Sequence, residues 1–173
     1  FGRDQFAQAI SDGALKLVRA SFVSIEALWY EFHSRDDHPA GILFDFGTSS
    51  DQLLSKNRGF SFDSDAPLDM RMDDRLGVMA SDLLAVLNER ELAELFLHYG
   101  GETHARPIAK RIKREGPVTT TKQLTDIILS IHSKGRGHLH PATKVFQALR
   151  IAVNTELENI EQALPHAFSL LSK

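Results

Sequence analysis

From Ser81 to Leu164 apolar residues recur at intervals of three and four, and each run stops at residues that end helices. This spacing puts the apolar side chains on one face of a helix, so the segment can bury them only by packing several short helices together. Ser81 and Asp82 cap a short helix reaching Leu87. Asn88 caps a second from Glu89 to Tyr99, with Leu92, Leu95, Phe96 and Tyr99 on one face and Gly100-Gly101 as its stop. Glu102 to Arg114 aligns Ala105, Ile108, Ala109 and Ile112, and Pro107 within it demands either a kink or a late start. Gly116-Pro117 ends that run. Thr119 to Thr121 opens the next, with Leu124, Ile127, Ile128 and Ile131 together. After a Gly-, Lys-, Arg- and His-containing loop from Ser133 to His140, Pro141 suits a first helical turn. The last helix aligns Phe146, Leu149, Val153, Leu157, Ile160 and Leu164, and Pro165 is expected to break or restart it.

The part before this block reads differently. Phe6 to Ile10 and Ser24 to Phe32 suit short helices, whereas Ala14 to Val18 alternates weakly, as a strand does. Gly41 to Phe46 is a short apolar run and is expected to be a buried strand. It gives way to Asp45, Gly47, Ser49 and Ser50. A strand, an acidic residue and a small-residue loop are how an open α/β sheet presents a ligand site. Mostly irregular backbone is expected from Thr48 to Gly77, where Arg58-Gly-Phe-Ser-Phe62 and Pro67-Leu-Asp-Met-Arg-Met-Asp73 mix charge with Phe and Met. A loop of that length is usually functional or disordered. Two strand candidates are too few for a complete sheet, so the α/β part reads as incomplete.

Bulk properties narrow the classes. The 173 residues suffice for one domain, or one domain with an insert. With 20 Lys+Arg against 23 Asp+Glu, the chain does not advertise nucleic-acid binding, although a local basic patch is compatible with that balance. The absence of cysteine excludes disulfides and thiolate metal sites. No apolar run is long enough for a membrane-spanning helix. Phe1-Gly-Arg-Asp-Gln5 lacks an initiator Met and resembles neither a signal nor a transit peptide, so the chain is expected to start partway into a longer sequence.

Four motifs, in order and at matching spacing, resemble the ribosomal RNA small-subunit methyltransferase H family: Gly41 to Leu53, Arg58 to Phe62, Pro67 to Asp73, and His140-Pro-Ala-Thr-Lys-Val-Phe-Gln-Ala-Leu-Arg-Ile-Ala-Val-Asn154. Tyr99-Gly-Gly-Glu-Thr-His-Ala-Arg-Pro-Ile-Ala109 is similar to that family's Tyr-Gly-Glu-Glu segment. The resemblance covers nearly the whole chain. It implies an α/β fold, a Rossmann-like methyltransferase core with an inserted all-helical subdomain. Residues 1–53 and 139–173 would form a discontinuous, partial core and residues 54–138 the insert. It further implies methyl transfer from S-adenosylmethionine to N4 of a cytosine in the decoding region of 16S rRNA, in a cytoplasmic setting. The partner would be small-subunit rRNA or the assembling small subunit, with no membrane involved, and a homodimer is compatible with it. The family's Gly-rich loop ending Gly-Gly-His, and its later Gly-Gly-Arg and Ser-Phe-His-Ser motifs, have no counterpart here. The expectation is therefore an incomplete or gapped chain. Phe1-Gly-Arg3 is either the start of the Gly-rich loop or the end of the second strand.

Site residues follow from both readings. By itself Asp45 reads as a loop-capping Asp; the resemblance makes it a cofactor contact, together with Gln52. Phe22 suits either core packing or the wall of an adenine pocket, and Asp4 is a candidate ribose or adenine contact. Ser49 and Ser50 occupy the loop that would hold the exocyclic amine in line with the methyl group, so they are the catalytic candidates. Arg58, Arg71, Lys144 and Arg150 are candidate RNA contacts, and Phe60 or Phe62 could stack a splayed base. For the arginines, ion pairs with nearby Asp residues compete with that role. No metal site is expected: His138 and His140 lack a supporting Cys or carboxylate cluster, and His98, His104, His132 and His166 read as surface or helix-end residues. The competing functional reading is a truncated, non-catalytic relative that binds rRNA or another protein.

Overall fold

A computed structural model describes residues 6–47, 58–63, 65–132 and 139–171. The chain divides into two compact units, Phe1–Phe44 with Glu158–Lys173, and Asp45–Leu157.

The second unit is the helical block. It holds α3 (Ala80–Val86), α4 (Glu89–Gly100), α5 (Ala105–Glu115), α6 (Thr121–Ile131) and α7 (Thr143–Asn154); α1, α2 and α8 are described with the first unit. α3 starts ahead of the expected Ser81-Asp82 cap: Met79 holds the N-cap position and its amide donates to Asp82 Oδ2 at 2.8 Å. The next two caps act as read. Asn88 accepts from the Glu91 amide at 3.0 Å while Glu91 accepts from the Asn88 amide at 2.8 Å, a reciprocal cap. Thr120 and Gln123 make the same exchange at the start of α6, at 3.3 and 3.1 Å. Of the two options at Pro107, the late start is taken. α5 begins at Ala105, which leaves Pro107 in the first turn, where no amide partner is needed.

α4 lies against both α5 and α7. Leu92 and Phe96 of α4, Ile108 and Ile112 of α5, Leu124 and Ile128 of α6, and Val145 and Leu149 of α7 form one core and are almost wholly buried. The approach of α4 to α7 is set by Gly100, because a Cβ there would collide with the Lys144 carbonyl oxygen. Gly101 then adopts φ 61° and closes the helix by donating to the Leu97 carbonyl at 2.9 Å.

The last helical run corrects one expectation. The break falls at Thr155, not at Pro165: α7 ends at Asn154, and α8 (Glu156–Leu171) runs through Pro165. Thr155 has φ 46°, and the Asn154 side chain is engaged by a distant loop, so tertiary contacts place the break. Pro165 is exposed, and the helix tolerates the missing amide there.

The first unit contains α1 (Ala7–Ser11), a short 3₁₀ turn (Phe22–Ser24), α2 (Ile25–Phe32) and α8 from Glu158 onward. Its helices are tied by polar contacts. His166 of α8 pairs with Glu26 of α2 at 2.7 Å, and the His38 ring bonds the Leu170 carbonyl at 2.9 Å. Trp29 donates to the Asp37 carbonyl at 3.0 Å and stacks on His33.

The expected strands are not observed. Among the described residues no strand ladder occurs, and the one isolated bridge joins Pro67 and Thr120. Ala14 to Val18 is irregular. Gly41 to Phe46 is not a strand and is not buried, and Leu43 is 96% exposed. A strand is not a local structure: its amides and carbonyls need neighbouring strands, and the described residues supply none. The α/β sheet of the sequence reading is therefore absent from the described residues, while its helical part is present.

Candidate functional site

A hydrogen-bonded loop of the second unit joins two of the sequence motifs. Arg58 to Phe62 and Pro67 to Asp73 lie side by side: the Met70 amide donates to the Arg58 carbonyl at 2.8 Å, and the Arg58 guanidinium donates back to the carbonyls of Arg71 and Met72, each at 3.2 Å. Helix ends anchor the loop. Leu68 and Asp69 carbonyls accept from Ser81 and Ala80 at the start of α3, while the Thr121 amide and hydroxyl hold both backbone groups of Ala66. At the centre Met70 is fully buried with φ 63°, a left-handed conformation that a non-glycine residue holds only under constraint.

That constraint comes from Asn154, the last residue of α7. Its carboxamide accepts from the Met72 amide at 2.7 Å and donates to the Met70 and Arg150 carbonyls, both at 2.8 Å. Asn154 closes the motif that begins at His140. An Asn at a helix C-terminus carries no sign of a partner more than eighty positions away.

The predicted RNA-contacting cations are engaged within the unit. Arg71 grips Asp69 with two N–H groups, Nε to Oδ1 at 2.6 Å and Nη2 to Oδ2 at 2.9 Å, and reaches the Leu76 carbonyl at 2.6 Å. The Arg71 hydrogen bond holds the Asp69 carboxyl below its usual range, against the opposing effect of burial. Arg150 pairs with Glu156 at 2.8 and 3.0 Å. Lys144 is exposed and donates to the Gly101 carbonyl at 3.0 Å. Of the aromatic candidates, Phe60 is core. Phe62 stacks on His140 with centroids 4.3 Å apart and meets Phe146 edge-on.

Of the predicted cofactor residues, Phe22 and Asp45 are described. Phe22 is half-buried, held in its turn by the Ser21 cap and packed edge-on against Phe44 at 6.1 Å. Asp45 is exposed, and its Oδ1 accepts from the Gly47 amide at 3.2 Å, the loop-capping contact of the local reading. Asp4, Ser49, Ser50 and Gln52 lie outside the described residues. Phe22 belongs to the first unit and Asp45 to the second.

The MraW methylase family matches residues 1–173, and the chain belongs to it. Membership carries a methyltransferase fold. Among curated relatives, the "Ribosomal RNA small subunit methyltransferase H" of Acinetobacter baumannii is 44% identical over 165 residues, 95% of this chain and 53% of that protein. Proteins of the same name from Acinetobacter baylyi and a Cyanothece species are 42% and 44% identical, covering 99% and 95% of this chain and 58% and 57% of their own lengths. The chain thus spans about half the length of the curated relatives it matches.

Proposed function

We propose that this chain acts in S-adenosylmethionine-dependent methylation of cytosine N4 in the decoding region of 16S rRNA. The carrying observation is the family match over residues 1–173, supported by relatives named for small-subunit rRNA methylation. The remaining core of the fold would be Rossmann-like, with residues 1–53 and 139–173 contributing to it and residues 54–138 inserted as the substrate-side subdomain. The setting would be cytoplasmic; no described helix is long and apolar enough to cross a membrane.

When bound, the cofactor supplies an electrophilic methyl group on a sulfonium. Asp45 and Gln52 would bind its polar groups, Phe22 would line the adenine side, and Asp4 would reach the ribose or adenine. Ser49 and Ser50 would accept an N–H from the cytosine amine, so that its lone pair faces the methyl carbon. Held in this way, cytosine N4 would take the methyl group in a direct displacement and would give up its proton afterwards. Alignment and water exclusion suffice, without a strong base. Lys144, Arg58, Arg71 and Arg150 would meet RNA phosphates through N–H groups beyond those already engaged. The locked Met70 loop supports this reading, since a loop held in one conformation presents its rim to RNA without an ordering cost.

Calorimetry with S-adenosylmethionine tests the proposal, together with methyl transfer to small subunits lacking the modification. Binding is expected, weakened at least about tenfold by Asp45→Ala. Binding unchanged in that variant removes Asp45 from the site. Small-subunit RNA binding without cofactor binding by a folded sample establishes the non-catalytic alternative.

A further inference from the structure

We infer that Glu102, His104 and His132 form a binding site for one divalent transition cation of the zinc type. One candidate ligand atom from each of the three side chains lies within 4.8 Å of the other two. Glu102 Oε1 is 3.4 Å from His104 Nδ1 and 3.6 Å from His132 Nε2. These are poor hydrogen-bond distances. They match the spacing of ligands around a tetrahedral metal, where bonds of about 2.1 Å separate neighbouring donors by about 3.4 Å. The two rings meet at 63° with centroids 4.6 Å apart, so they do not stack.

Burial sharpens the case. Glu102 is 1% exposed, and a buried carboxylate is costly unless its charge is matched. Among the described ion pairs, its partners are these two histidines, which carry charge only when protonated. His132 Nε2 is buried without a hydrogen-bond partner. His104 Nδ1 has one other neighbour, the Thr103 hydroxyl at 3.4 Å. The carboxylate is already oriented, because Oε1 accepts from the His104 amide at 2.7 Å.

Two ligands come from the turn between α4 and α5 and the third from the end of α6, so a cation would clip these helices together. Two imidazoles and one carboxylate suit zinc better than magnesium or calcium, which prefer all-oxygen sites. Three protein ligands leave a position for water. The site is independent of the methyl-transfer proposal. The sequence gives no zinc-like spacing, because His132 is brought in by the packing of α6.

The test uses purified protein stripped with a chelator, titrated with zinc chloride by calorimetry and with cobalt(II) by visible absorption. One metal per chain is expected, with a rise in Tm of roughly 5–10 °C at a hundredfold excess of zinc over its dissociation constant. His104→Ala and His132→Ala are each expected to weaken binding at least about tenfold. His98→Ala, a change at an exposed histidine, leaves it intact. The half-exposed His104 makes its alanine variant a safe folding control, verified by circular dichroism. The proposal is overturned if folded wild-type protein takes up neither metal, or if binding survives both histidine changes.

Discussion

The Asn154 carboxamide donates to the carbonyl of Met70, 84 positions earlier in the chain, at 2.8 Å, and holds a buried methionine in a left-handed conformation. One side chain thereby couples the end of α7 to the loop that carries the Arg58 to Asp73 motifs. Asn154→Ala removes contacts to Met70, Met72 and Arg150 and leaves buried backbone groups unsatisfied. The expected loss is about 2–4 kcal/mol in urea unfolding. A loss below about 0.5 kcal/mol would show that water replaces the amide at no cost.

Gly100 and Gly101 are adjacent but differ in what they require. Gly100→Ala drives a methyl group into the Lys144 carbonyl and against Ala148, so α4 and α7 must separate, at a cost of about 1–3 kcal/mol. Gly101→Ala meets no atom and carries only the strain of φ 61°, about 1 kcal/mol. Thermal unfolding of the two variants should rank them in that order.

Pro165 interrupts the hydrogen-bond ladder of α8 at an exposed position without ending the helix. Pro165→Ala restores an amide and is expected to stabilise the protein by about 1–2 kcal/mol, the gain being reduced by the freer unfolded chain. If the variant melts at a lower temperature than the parent, α8 depends on the proline ring.

The Asp69–Arg71 pair sets an acid limit for the loop. The folded carboxyl titrates below the unfolded value of about 3.9. Its contribution to stability is therefore complete above that value and is lost as pH falls through the lower folded one. Asp69→Asn should flatten the pH dependence of stability in that acid window and leave it unchanged near neutrality. Identical acid profiles for parent and variant would assign the acid sensitivity to other carboxylates.

What was legible in the sequence was local. Asn88 and Thr120 cap helices because an oxygen three residues from an orphan amide needs no other partner. The apolar faces of α4 to α7 follow from spacing alone. Asp45 bonding to Gly47 is the local alternative to the cofactor role that the resemblance implies. Asn154, His132 and the break at Thr155 were not legible, because each depends on a group distant in sequence. Leu43 shows the same limit from the other side: a strand-like run stays exposed when no neighbouring strand covers it.

The sequence by itself determined most of the helix starts, which faces the helices bury and which family the motifs resemble, since caps, periodicity and motif spacing act over a few residues. Tertiary structure alone decided that Asn154 locks the Met70 loop. It alone brought Glu102, His104 and His132 together. Those outcomes depend on side chains that become neighbours only after the helices pack, when burial makes every unmatched polar group costly.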